Sequence, residues 1–209
     1  MRTSALTPAY APLPFGAAQA DIDPSTAPDF APEAVARFDA LLHEIHPDAP
    51  RVNVPRLRGL AASLMAMPSD EARQMLALRM TRISSLRALL RDADWNADDA
   101  MRARVSKLVD YVDRDDDLIP DGTDLLGKLD DVLLFELAWP AFEDEAEEYI
   151  DFCAYRHDEH PDGDAAHQRA AWVRDRLAEL ALLQHNARVN DSHYANGRMP
   201  ATPFRIGGG

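Results

Sequence analysis

The chain has 209 residues, 46% of them apolar, with a formal net charge of −14 and a single cysteine. That length and apolar content are enough for one domain with a real core. The charge argues against nucleic acid, whose phosphates need clustered Lys and Arg, and equally against an anionic membrane surface.

Residues 1–32 contain six prolines and many Ala, Ser and Thr without a sustained period, which reads as a disordered or loosely docked arm. Arg2 is followed by Pro8, Pro12 and Pro14, where a signal peptide needs its apolar core. The expected location is the cytoplasm, with a secreted effector exported by a specialised system as the alternative.

Helical periodicity starts after Pro32, where Val35, Phe38, Leu41, Leu42 and Ile45 share one face and Pro47-Asp48 stops the run. A second helix is expected from Arg56, closed by Pro68. Ser69 is a good cap for a long third helix, with Met75, Leu76, Leu78, Met80, Ile83, Leu86, Leu89 and Leu90 as a broad apolar stripe. Asn96 is expected to cap a fourth, containing Met101, Val105, Leu108, Val109 and Val112.

Thr123 is the candidate cap of a fifth helix, residues 124–139. A sixth has Phe142, Ala146, Tyr149, Ile150 and Cys153 at helical spacing, with Cys153 read as a small buried apolar residue. A seventh covers residues 165–189, and a polar tail follows from Asn190. No run shows period-two β-branched residues, so the expected class is all-α, a single bundle of about seven helices. The boundaries are an arm at 1–32, a helical domain at 33–190 and a flexible tail at 191–209. No stretch approaches the roughly 18 consecutive apolar residues of a transmembrane helix.

Charge is distributed unevenly. Residues 51–107 carry eleven basic and six acidic side chains, a net of +5, and residues 108–164 carry three basic and twenty acidic, a net of −17. Either the two stretches pack and neutralise each other, or the carboxylates await cations or a basic partner.

The acidic excess centres on DLIPDGTDLLGKLDD at 117–131. Pro120 ends the preceding helix, Asp121 and Gly122 suit a turn, and Asp124 lies where a helix dipole favours negative charge. Residues 111–139 resemble the YkvA-like domain of unknown function, a small all-helical bacterial domain with a D-L-I-P-D, Gly, D-D signature. The matching positions are Asp117, Leu118, Ile119, Pro120, Asp121, Gly127, Asp130 and Asp131. Asp124 departs from the pattern, standing where family members usually carry a second proline. The resemblance implies a helical core over about residues 95–155 and no activity, substrate or catalytic residue.

Asp130 and Asp131 are expected two turns inside a helix, where adjacent like charges must be solvated or paired. Two accounts stand open. An aspartate there clamps the turn by accepting N–H bonds from the loop near 117–122. Alternatively, Asp117, Asp121, Asp130 and Asp131 hold Mg²⁺ or Ca²⁺. Asp113, Asp115, Asp117, Asp121 and Asp124 have the carboxylate spacing of an EF-hand loop, but Leu118 stands where that loop requires Gly.

The pairs His43/His46 and His157/His160 each precede a Pro-Asp helix stop. They supply four imidazoles for Zn²⁺ if they meet, or cap helix carbonyls if they do not. No phosphate loop, nucleophile elbow or His-Glu-x-x-His is present.

Three functions are compatible with these residues. The first is a non-enzymatic interaction module whose acidic face, built from 110–131 and 143–162, docks a basic protein or a second subunit. The second is a divalent-cation protein with weak hydrolytic chemistry at the four aspartates. The third is a peripheral membrane or envelope-stress factor using Leu133, Leu134 and Phe135.

Overall fold

The computed structural model describes residues 13, 27–114, 118–119 and 126–196, the side chains of 190–196 excepted. The described residues form seven α-helices and no strand, so the all-α expectation holds. They are α1 (Pro32–Ile45), α2 (Val54–Met65), α3 (Ser69–Arg91), α4 (Asp99–Val112), α5 (Leu129–Ala138), α6 (Glu143–Glu159) and α7 (Ala165–Asn196). A short 3-10 turn, Trp139–Ala141, joins α5 to α6. The chain divides into two compact units, residues 1–151 and 152–209, with the boundary inside α6.

Several helix starts differ from the sequence expectation for identifiable reasons. Asn53 caps α2, its side chain accepting from the Arg56 N–H at 3.0 Å. Asp98, not Asn96, caps α4 through the Met101 N–H at 2.7 Å. Ser69 is already helical, so Pro68 holds the cap position of α3 and no side chain caps it. The largest shift is in α5. Residues 126–128 form a turn and the helix begins at Leu129, whereas the sequence placed its start near 124. Gly127, about 1 kcal/mol poorer than Ala in a helix, lies in that turn.

Helix α5 is the centre of the first unit. Leu129, Val132, Leu133, Leu134, Phe135 and Ala138 are all buried, and α1, α3 and α4 pack against it. With eight of its ten residues buried, α5 is a core helix. Leu133, Leu134 and Phe135 therefore lie inside the protein, which corrects the reading of them as a membrane contact.

The stripe of α3 is narrower than expected. Leu76, Ile83, Leu86 and Leu89 are buried while Leu78 is exposed. Between them Arg79 is buried, donating through Nε to Glu136 Oε2 at 2.6 Å and through a terminal nitrogen to the Met75 carbonyl at 3.1 Å. The other oxygen of Glu136 accepts from the Leu13 N–H at 2.5 Å. Leu13, Ala27 and Phe30 are buried, so the proline-rich arm touches the helical unit at these points. The rest of residues 1–26 lies outside the described residues.

In the second unit Trp172 is buried and packs edge-on against Phe152, ring centres 5.6 Å apart. Gly163 has φ 96°, a left-handed conformation that favours glycine, and delivers Asp164 to cap α7 through the His167 N–H at 3.0 Å. Helix α7 runs to Asn196, past Asn190 where a polar tail was expected, and residues 197–209 lie outside the described residues.

Breaking a buried ion pair costs more than replacing it. Glu136→Ala is expected to destabilise the protein by about 3 kcal/mol in urea unfolding, and Arg79→Met with Glu136→Leu to recover most of that loss. Equal losses in the single and double variants would refute this account of the pair.

Candidate functional site

The acidic corner is built around the first turn of α5. Asp130 and Asp131 are each only 1% exposed. Asp130 Oδ2 accepts from the Tyr111 hydroxyl of α4 at 2.8 Å and from the Ile119 N–H of the loop at 3.0 Å. The Leu118 N–H in turn donates to the Tyr111 oxygen at 3.3 Å. One carboxylate thus ties the loop, the end of α4 and the start of α5 together, which is the clamp arrangement.

Burial pushes the Asp130 carboxyl above the usual carboxylate range. The Tyr111 hydroxyl and the N–H groups of Ile119, Asp130 and Asp131 act in the opposite direction without overcoming burial. Because α5 begins at Leu129, both aspartates sit where a helix dipole and free N–H groups favour negative charge, not two turns inside.

Of the four aspartates proposed for Mg²⁺ or Ca²⁺, Asp130 and Asp131 are adjacent at this corner, and Asp117 and Asp121 lie outside the described residues. Asp131 is paired with Lys128 Nζ at 3.3 Å. Among the described residues no group of three or more His, Cys, Asp or Glu is arranged to hold a metal ion. Asp113, the first position of the EF-hand-like spacing, is engaged by Arg87.

The histidines of the first pair meet backbone carbonyls. His43 places Nδ1 at 2.6 Å from the Asp39 oxygen and Nε2 at 3.0 Å from the Ala49 oxygen. His46 Nδ1 donates to the Leu137 carbonyl at 2.8 Å, joining α1 to α5. In the second unit the His157 and His160 rings are edge-on at 6.3 Å. Cys153 is half-buried, with Arg156 donating to its sulfur at 3.6 Å, so it is not the fully buried residue the sequence implied.

Asp39 accepts from the Val52 N–H at 2.7 Å and from Arg51 at 2.8 Å. Burial raises its pKa, but the Val52 N–H, Arg51 and His43 together outweigh burial and hold it below the ordinary value.

Sequence reasoning missed a second polar cluster. Trp95, fully buried in the loop between α3 and α4, donates through Nε1 to Glu145 of α6 at 2.7 Å and stacks edge-on with Tyr149 at 5.5 Å. The Tyr149 hydroxyl donates to Asp92 at 3.2 Å. Glu145 falls within the acidic stretch 143–162 read as an outer face, and its contact with Trp95 separates it from the exposed acids there. Asp144 and Glu148 are exposed on α6, and Glu147 and Asp151 half-buried, at the i, i+3, i+4, i+7 spacing of one helix face.

Asp130→Ala removes an acceptor shared by two donors in a dry site and is expected to cost about 2–4 kcal/mol, Tyr111→Phe about 1–2 kcal/mol. Because folding raises the Asp130 pKa, the folded state holds a proton the unfolded chain releases. The contribution of this group to stability therefore falls as pH rises from the ordinary carboxylate range through the folded value. Asp130→Asn, which keeps an oxygen acceptor, should flatten that part of the stability profile. Asp39 has the opposite sign: its contribution is present above the ordinary carboxylate range and lost as pH falls through the depressed folded value. An unchanged pH profile in both Asn variants would contradict these assignments.

No family profile, curated protein or solved structure matches the chain.

Proposed function

We propose that this chain is a non-enzymatic helical interaction module that docks a basic protein partner through an acidic row on α6. The observation that carries this reading is the placement of Asp144, Glu147, Glu148 and Asp151 on one face of the helix, with Asp144 and Glu148 exposed. Like charges at i, i+4 cost an isolated helix about 0.2–0.5 kcal/mol per pair. The exposed pair 144/148 incurs that cost, and a basic partner offsets it. The aspartates of the corner contribute differently. Asp130 and Asp131 are engaged inside the fold, so the proposed face does not include them. The resemblance of 111–139 to the YkvA-like domain is compatible with this role and assigns no chemistry.

The test uses an amphipathic helical peptide with leucine on one face and lysine on the other, titrated against the full chain. Neutralising the row with Asp144→Asn, Glu147→Gln, Glu148→Gln and Asp151→Asn should weaken binding by about tenfold or more and remove most of its salt dependence. The double variant Asp144→Asn with Glu148→Gln should melt no lower than the parent, because the exposed repulsive pair is relieved. Unchanged binding would overturn the reading. A rise in melting temperature with Mg²⁺ or Ca²⁺, lost in Asp130→Asn, would replace it with the cation-binding reading. A site at 100 times its dissociation constant adds about 2.7 kcal/mol.

A further inference from the structure

Beyond Trp172, every residue of α7 from Leu177 to Val189 is exposed. Five of these are large and apolar: Leu177, Leu180, Leu182, Leu183 and Val189, with Leu177 61% exposed. Helices of this length gain most of their stability from packing an apolar face. Exposed apolar surface of this kind marks an interaction site.

The positions define the geometry of the missing contact. Ala170, Val173, Leu177, Leu180, Gln184 and Ala187 alternate at spacings of three and four, which is the a/d seam of a coiled coil, and all six are exposed. Taking 170, 177 and 184 as a positions, the flanking e and g positions are Arg169, Arg174, Arg176, Ala181, Leu183 and Arg188. Every charged flank is an arginine. Asp175 and Glu179 fall away from the seam. Gln184, the one polar residue on the seam, is the kind of residue that fixes register.

Flanking charges decide which helix pairs with which. Two parallel copies of α7 would set Arg169 against Arg174, and in neither orientation does a second copy offer an acidic flank to an arginine. The acid-rich α6 of a second copy does not serve either, because its Ala146 and Tyr149 are buried in the first unit. A membrane-surface helix keeps its far side polar, whereas Leu182 and Val189 lie on the far side of this one.

We propose that the α7 seam is one half of a heteromeric coiled coil, closed by a partner helix with apolar a and d positions and Asp or Glu on its flanks. This inference is independent of the acidic row on α6, which calls for a partner of opposite charge.

The test titrates the full chain with two designed peptides of about four heptads, leucine at every a and d, one with glutamate and one with lysine at every e and g. The glutamate peptide should bind at least about tenfold more tightly than the lysine peptide. Arg174→Glu with Arg188→Glu should invert that preference. Leu177→Asp with Leu180→Asp should abolish binding of the glutamate peptide and leave the melting temperature within a few degrees, since both side chains are exposed. Equal affinity for the two peptides, or no binding of either, overturns the proposal. So does a concentration-dependent dimer of the chain alone that Leu180→Asp dissolves, which would make the occupant a second copy. Sedimentation with anionic vesicles in place of peptide binding would make it a membrane.

Discussion

A helix whose first turn is buried must find partners for the N–H groups of that turn, because water cannot reach them. Helix α5 is such a helix, and no side chain at its cap position does this work. Asp130 and Asp131 bring carboxylates into that turn, where the helix dipole favours them. The arrangement of the first unit follows from this. The Asp130 carboxyl is desolvated, so it must be hydrogen-bonded, and the nearest donors are the end of α4 and the loop that leads into α5. Tyr111 and Ile119 provide them. Leu118 and Ile119 are thus held beside a carboxylate that the Ile119 N–H itself solvates.

The same logic governs Arg79 and Glu136. An arginine in the apolar stripe of α3 is tolerated because Glu136 projects from α5 to meet it, and the second oxygen of Glu136 is then available to the Leu13 N–H. His46, bound to the Leu137 carbonyl, adds a third polar tie, between α1 and α5. Asp130, Arg79 and His46 thus each join α5 to another element. Asp130 already accepts two donors through one oxygen, and a metal ion approaching that oxygen would have to displace them.

The helices were legible in the sequence because their apolar residues recur at helical spacing and proline separates them: α1 begins at Pro32 and ends at Ile45, before Pro47. The start of α5 was not legible. The residues 124–139 are continuous in helical pattern, and only the turn at 126–128 shows that the aspartates belong to a first turn. The clamp role of Asp130 was readable as an alternative, but its partner Tyr111 was not, because an aromatic on an apolar stripe gives no sign of where its hydroxyl points. Arg79 stayed hidden for a related reason: it stands three residues after Leu76 and four before Ile83, and its burial depends on a glutamate 57 positions away. Trp95, in a loop without periodicity, is buried by contacts that no local pattern records.

The polar groups inside the first unit and the features on the outer surfaces of α6 and α7 differ in one respect. The desolvation of Asp130 and Arg79 is offset within the fold, by donors and acceptors that the chain itself supplies. The exposed acids Asp144 and Glu148 of α6 stand at i, i+4 to each other, and the charged flanks of the α7 seam are all arginines. Repulsion of this kind is a poor way to stabilise a helix and an effective way to choose a partner, because it penalises every match except the one of opposite charge. On the proposals made for α6 and α7, two faces of opposite sign would select two kinds of partner.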